Sequence, residues 1–587
     1  MTTAVTGVTS TLSKLNPFGK SKDHDEDKGE AIEYDSVGGG GHAARKSKIT
    51  KDQLKVSRAL RSVLAHEKVL SELDAGVDSE RPSAALRELL DQPHIRVPAY
   101  VTDRSRPLAE YYISSSHNTY LTAHQLYGTA APVAYQIALH TGSRCVEIDA
   151  WDDDDNKNEP KVTHGYTLAS NVPFRAVCEA MRDVVDKEAA DADAETEYRA
   201  APIMLSLENH CSAHGQLRLV EIMKEVWGHR LLTKHVRDEG ANQRQDAQDQ
   251  VTLEELGSKI AVIVEYFFPD QKDDSSDSSD DEEDEEDEDE AEKQDRKKYK
   301  EQKKKAPKEN IIPELAELGV FAQSVKPRDQ SWLEGELKGG PHDHLINVSE
   351  SGLGGLMPKM SEQISKHNAK HLMRVYPKGT RISSRNLNPV PFWGVGAQIC
   401  ALNWQTFDAS LQLNEALFAG TDGWALKPAA LRAEGSGNLG NGKKKRLRLK
   451  IAGATDVPIP QDREASEIRP YVTCTLLHPN DLEDEPPKRK TSAYKQHKLG
   501  IIHRGANPPP KNPIFDETLE WEYDDNELTF LRILIKSDDR FASNPIFAVA
   551  SVRLLYVVEG WSFIRMLDLK GRETHCTLLV KFEIEDA

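Results

Sequence analysis

The stretch "YYISSSHNTYL" ends an aromatic-rich, strand-like run on His117 and Asn118, and polar residues of chemical use recur downstream where further strands end. "CVEIDAW" places Glu147 and Asp149 two residues apart, so both project from one face of a strand. "KVTHGYT" carries His164 and "IMLSLENHCS" carries Glu208. Asn118, Glu147, Asp149 and Glu208 are all oxygen donors, a set that suits a hard cation, calcium above all. Neither a CxxC pair nor a histidine-dominated ligand set accompanies them, so zinc fits poorly. Two histidines beside such a cation can share proton donation and stabilisation of transition-state charge. Singly, each residue equally suits a capped, solvated strand end; several in register on consecutive strands point to a site.

Residues that act together need elements that bring them together. Between 100 and 268, short apolar strands ("CVEIDAW", "IMLSLENH", "KIAVIVEYFF") alternate with helical stretches, which predicts a largely parallel sheet or barrel. In a parallel barrel the C-terminal strand ends form one rim, where active sites lie. From Asp273 to Glu292 there are 15 acidic residues and no basic one, followed by a basic run; such a block cannot bury a core and reads as a solvated insertion. Alternation resumes with "HLMRVYP" and "AQICALNWQT" and ends near "GWALKPAALR". After "GSGNLGNGKKK" the chain turns to β-branched, turn-separated runs ("RLRLKIAG", "RPYVTCTLL", "TFLRILIKS", "CTLLVKFEIED") that predict a β-sandwich. Val56, Leu60, Val63 and Leu64, then Leu86, Leu89 and Leu90, follow helical spacing and predict two short amphipathic helices, without an EF-hand loop. The expected divisions are a disordered tail at 1–49, a helical segment at 50–100, a first barrel half at 101–268, a linker at 269–340, a second half at 341–433, a linker at 434–445 and a sandwich at 446–587.

At 587 residues several domains are expected. No run approaches 18 uninterrupted apolar residues, the N-terminus lacks a signal-like apolar core, and Thr2 replaces the glycine that myristoylation needs. Six scattered cysteines favour buried thiols and a reducing, cytoplasmic setting. Removing the acidic block from the net charge of −20 leaves −5, so the folded parts are nearly balanced and do not repel all anionic partners.

The segments "SSSHNTYL", "CVEIDAW", "HGYTL", "LSLENHCS", "RVYPKGTRISSRNLNPVPFWGVGAQICALNWQT" and "GWALKPAALR" resemble, in order, the X and Y halves of eukaryotic phosphoinositide-specific phospholipase C. The sandwich resembles the C2-type domain that follows in that family. The resemblance implies an α/β TIM barrel split into X and Y halves by the acidic linker, with the C2-type sandwich after it. It also implies calcium held by Asn118, Glu147, Asp149 and Glu208. Glu147 would remove the proton of the inositol 2-hydroxyl, His117 would stabilise the pentacoordinate transition state, and His164 would protonate the departing diacylglycerol oxygen. Water would then open the cyclic phosphate. Arg374 and Tyr376 match positions that contact the inositol headgroup. The implied partners are membrane phosphoinositides, met by reversible peripheral association, with no nucleic acid. With about 100 residues ahead of the barrel, a delta-like short form without a PH domain is expected.

Some positions depart from the family. Its Lys-x-Lys at the fifth strand falls here on Ile263 and Glu265, and Asn347 stands where serine is usual. Unphosphorylated or singly phosphorylated phosphatidylinositol therefore competes with the bisphosphate as substrate. A catalytically weak lipid-binding scaffold and a phosphodiesterase for soluble glycerophosphodiesters are the rival readings; the full catalytic set disfavours the first and the sandwich disfavours the second. In the sandwich, Arg469 stands where a calcium-binding aspartate is usual, whereas Asp538 and Asp539 are kept. The run "KKKRLRLK" (443–450) suits either contact with anionic lipid or a solvated strand start.

Overall fold

The computed structural model describes residues 29–36, 49–79, 81–122, 129–165, 170–191, 200–236, 251–268, 310–335, 337–378, 386–461, 463–481, 486–497, 507–538 and 545–587. The acidic block at 273–292 and Asp539 lie outside the described residues.

Strands Tyr111–Ile113, Cys145–Trp151, Ile203–His210, Ile260–Glu265, Gln323–Val325, His344–Ser349, Leu372–Tyr376 and Ile399–Cys400 follow one another in parallel. Ile399 returns to pair with Ile113, and a parallel bridge between Ser115 and Cys145 links the first strand to the second, closing a TIM barrel. The period-2 alternation of these strands turns Ile113, Cys145, Met204, Ala261, Ile263, Leu345, Leu372 and Ile399 into one apolar cluster. Helices including Pro132–His140, Phe174–Asp191, Ala213–Trp227, Glu350–Asn368 and Ala409–Phe418 bury their apolar stripes against the barrel strands.

One barrel strand lies where the sequence was read as linker. Gln323–Val325 pairs with Ile260–Glu265 on one side and His344–Ser349 on the other, so the linker at 269–340 is too long at its C-terminal end. Three residues leave almost no periodic signal; neighbouring strands define this one.

The sandwich is a single antiparallel eight-stranded sheet folded on itself, from Lys488–Lys490 at one edge to Ile514–Asp524 at the other. It is docked on the barrel: the Trp393 and Phe530 rings lie 5.7 Å apart, Arg532 Nε donates to Gln412 Oε1 at 2.8 Å, and Tyr556 OH donates to the Leu417 carbonyl at 3.0 Å. The N-terminal helices, Arg58–His66 and Ala84–Asp91, pack Leu60, Leu64, Leu86 and Leu89 against Ala452, Phe563 and Leu579 of the sandwich.

The tail also differs from expectation. Residues 29–36 form a strap: Ile32 N–H donates to the Gln405 carbonyl at 3.1 Å, Glu30 N–H to the Leu569 carbonyl at 2.6 Å, and Ser36 Oγ to the Lys570 carbonyl at 2.6 Å. Gly29 has φ +59 and lies so close to the Phe407 backbone that a Cβ would overlap it. Polar, glycine-rich composition hides this order because the strap borrows its partners from two domains.

The run 443–450 is a charge ladder. Lys445 pairs with Asp525 at 3.2 Å, Arg448 with Glu520 at 3.1 Å and Glu585 at 3.0 Å, and Lys450 with Glu67 at 2.8 Å. These cations are largely matched within the molecule, which weakens the lipid-contact reading. All six cysteines are buried and unbridged, and burial pushes the Cys145 thiol up to about 12.

Candidate active site

The rim forms where the barrel strands end. Ser116–His117 continues the first strand beside Leu402–Asn403, which puts His117 against Asn403: Asn403 Oδ1 lies 2.9 Å from His117 Nδ1. A carbonyl oxygen only accepts, so His117 carries its hydrogen on Nδ1 and turns Nε2 inward, 3.9 Å from Glu147 Oε2. Asn118 bends the chain with φ +45, a conformation asparagine tolerates better than most residues, and its N–H donates to Glu147 Oε2 at 2.8 Å.

Glu147 and Asp149 share a face of their strand, and Asp149 stands level with Glu208 on the next. Glu147 is 1% exposed and Asp149 5%. Tyr120 OH donates to Asp149 Oδ2 at 2.7 Å and lies 3.0 Å from Asn118 Oδ1. Burial, reinforced by Asp149, holds the Tyr120 hydroxyl well above its ordinary pKa, so it remains a donor. From the other half, Arg374 reaches Glu147 Oε1 in a short ion pair and donates to Asn347 Oδ1 at 3.2 Å, while its guanidinium stands 5.8 Å over the Tyr376 ring. Burial works against this charge, but Glu147 and then Glu208 outweigh it and hold the Arg374 pKa above its usual value. Among the described residues, no three or more His, Cys, Asp or Glu side chains converge closely enough to hold a metal.

His164 is positioned by a hairpin, Lys161–Val162 paired with Ala150–Trp151, and the Thr163 N–H donates to the Asp149 carbonyl at 3.3 Å. The structure thus brings His117, Asn118, Glu147 and Arg374 into contact, with Asp149 linked to Asn118 through Tyr120. Ile263 is buried in the barrel interior. Glu265, two residues on, accepts the Asn209 N–H at 3.3 Å. Sequence reasoning missed Tyr120 and Asn403. The first lies two residues after Asn118 and the second ends a strand in "CALNWQ", the same positional cue that picked out Glu208.

The family models for the phosphatidylinositol-specific phospholipase C X domain and Y domain match residues 104–266 and 315–430, and the C2 domain model matches 445–562. The chain belongs to the phosphoinositide-specific phospholipase C family. Among its curated relatives, 1-phosphatidylinositol 4,5-bisphosphate phosphodiesterase 1 of Candida albicans is 31% identical over 540 residues, covering 82% of this chain and 48% of the relative. The delta-3 phosphodiesterase of Mus musculus is 30% identical over 495 residues, covering 83% and 58%. The chain thus spans about half the length of the curated relatives it matches. The crystal structure of PLC21 from L. pealei superposes with a TM-score of 0.65 at 24% identity, covering 84% of this chain and 57% of that one. PLC21 from S. officinalis gives 0.67 at 23%, covering 89% and 62%. These two likenesses bear on the fold alone. The Y-domain match begins at residue 315, ahead of the Gln323–Val325 strand that the linker reading had absorbed.

Proposed function

We propose that this protein is a calcium-dependent phosphoinositide phospholipase C, releasing diacylglycerol and an inositol phosphate at a membrane surface. The observation that carries the reading is the buried Glu147 carboxylate, flanked by His117, Asn118 and Arg374 at the rim of a barrel matched by the X and Y models. The chemistry of the donors, hard oxygens throughout, suits calcium, although the described carboxylates do not converge on one point: Asn118 Oδ1 and Asp149 Oδ2 both lie within hydrogen-bonding reach of one hydroxyl, and Glu147 and Glu208 stand on the same rim. Bound there, calcium would supply a lowered pKa for a coordinated hydroxyl and stabilise charge on phosphoryl oxygens.

The chain's own residues have distinct tasks. Glu147 takes the proton of the inositol 2-hydroxyl as that oxygen bonds to phosphorus. His117, fixed by Asn403 through Nδ1, would stabilise the charge developing on the phosphoryl oxygens as the imidazolium, in which Nε2 also donates. His164 gives a proton to the diacylglycerol oxygen as its bond to phosphorus breaks. Water then opens the cyclic phosphate with acid and base exchanged. Arg374 offers its fork to a headgroup phosphate and Tyr376 its ring face.

The relatives' names specify the 4,5-bisphosphate, but Ile263 and Glu265 favour a headgroup with fewer phosphates. A carboxylate on the rim opposes added anionic charge. Peripheral membrane association and a cytoplasmic location follow from this reading. Among the described residues, no helix is long and apolar enough to cross a membrane. The test is headgroup release from vesicles of phosphatidylinositol and its phosphorylated forms at varied calcium. Undiminished release in excess chelator removes the calcium assignment.

A further inference from the structure

His164 has to hold its ring against a leaving oxygen, yet it lies in a loop beyond a two-residue strand. Beside the strand pairing, Thr163 N–H donates to the Asp149 carbonyl at 3.3 Å and Thr163 Oγ1 to the Ser170 carbonyl at 3.1 Å. These fix the residue before His164. What fixes the residue after it is Trp151. Gly165 lies against the six-membered ring of the Trp151 indole, so close that a Cβ would overlap it. Trp151, the last residue of its strand, stands level with His210 on the next strand and stacks on that imidazole with centroids 4.1 Å apart and planes 17° from parallel. Asp152, the following residue, accepts the Ser212 N–H through Oδ2 at 3.0 Å, which ties the strand end to the start of helix Ala213–Trp227. The indole is therefore clamped between a stacked ring on one face and the peptide of Gly165 against its benzo edge, with its own backbone tethered on both sides.

We propose that Trp151 is the positioning residue for His164: a rigid platform on the barrel rim that sets the height and direction of the loop carrying the acid. The inference rests on the assignment of His164 as general acid. Glycine at 165 is required by the platform, since any side chain there lifts the loop off the ring and swings His164 away. Misplacement of a reacting group by about 1 Å can cost 10²-fold, and general acid catalysis contributes about 10²–10⁴-fold. Loss of the platform is therefore expected to cost roughly ten- to a hundredfold in kcat, without altering how the headgroup binds.

The test uses the full chain, with vesicles of natural phosphatidylinositol and a soluble inositol phosphodiester whose leaving group departs without a proton. Trp151→Ala and Gly165→Ala should each lose kcat on the lipid at little change in KM, lose far less on the activated substrate, and melt near the parent. Trp151→Phe, which keeps an aromatic face, should recover most of the lipid rate. His164→Ala is run beside them. If His164→Ala loses both substrates equally, the acid assignment fails and the inference falls with it. If His164→Ala shows the leaving-group split and neither Trp151→Ala nor Gly165→Ala does, the assignment stands and the platform is refuted. Gly165→Ala keeps the question open to refutation even where Trp151→Ala fails to fold.

Discussion

Arg374→Met would leave the most deeply buried charge of the site without its partner. Arg374 is 3% exposed and Glu147 1%, so both charges are desolvated and each depends on the other. In the variant, the Glu147 carboxylate keeps the Asn118 N–H at 2.8 Å and His117 Nε2 at 3.9 Å, neither of which replaces a guanidinium. Breaking a buried pair from one side costs about 3–5 kcal/mol. At about 2–4 °C per kcal/mol for a domain of barrel size, the melting temperature should fall by roughly 6–20 °C. Thermal unfolding followed by circular dichroism in excess chelator measures this. Neutralising the orphaned acid in Glu147→Gln/Arg374→Met should recover most of the loss, because a buried pair replaced on both sides is often neutral in stability. Calcium should raise the melting temperature of Arg374→Met more than that of the parent, since a cation at Glu147 supplies the missing charge. If the single variant melts with the parent, or the double variant is no more stable than the single, the buried-pair reasoning is refuted.

Three further outcomes follow from other parts of the molecule. His367 is buried against His344, with Nε2 atoms 3.0 Å apart, and burial holds its pKa down to about 3 against an ordinary 6.5. The unfolded chain takes the proton first, so this stability is complete above about pH 6.5 and falls towards pH 3; the share of His367 in the loss between pH 7 and pH 5 is about 2 kcal/mol, from about 1.4 kcal/mol per unit below 6.5, and urea unfolding of His367→Gln should show a fall smaller by that share, with buried His371 and His94 still contributing theirs. Ile263→Lys/Glu265→Lys should raise activity on the bisphosphate relative to phosphatidylinositol in mixed vesicles; a parent that already favours the bisphosphate, with no gain on substitution, contradicts the headgroup reading. Leu60→Ala should destabilise the sandwich by about 2–5 kcal/mol, read in denaturant, because Leu60 is fully buried between the N-terminal helix and the sandwich; an unchanged midpoint would show the helix to be a loose appendage.

The parts of this molecule legible in its sequence are those where local pattern and long-range structure agree. "CVEIDAW" and "IMLSLENH" are strands end to end because both are short, largely apolar runs buried along most of their length, with Glu147, Asp149 and Glu208 among the few charged residues and the last two level with each other towards the C-terminal ends. Gln323–Val325 was illegible, because a three-residue strand is made by its two neighbours. The strap at 29–36 was illegible for a related reason: its partners lie near residues 405 and 570, on two different domains. Tyr120 and Asn403 were overlooked because each acts by holding another group, and hydroxyl or amide alone does not announce that. The Arg374–Glu147 pair was half visible: sequence offered Arg374 as a headgroup contact, and the fold shows in addition that it pairs with Glu147.

The central claim is that Glu147 and its neighbours cleave the phosphodiester on the glycerol side of phosphorus, with calcium present. Mass spectrometry of the products from phosphatidylinositol vesicles tests it most directly, comparing the parent with Glu147→Ala, with and without chelator. The expected result is diacylglycerol together with inositol phosphate and its 1,2-cyclic form from the parent in calcium, and neither from Glu147→Ala or in chelator. Phosphatidic acid with free inositol, or diacylglycerol formed equally by Glu147→Ala, would contradict the account.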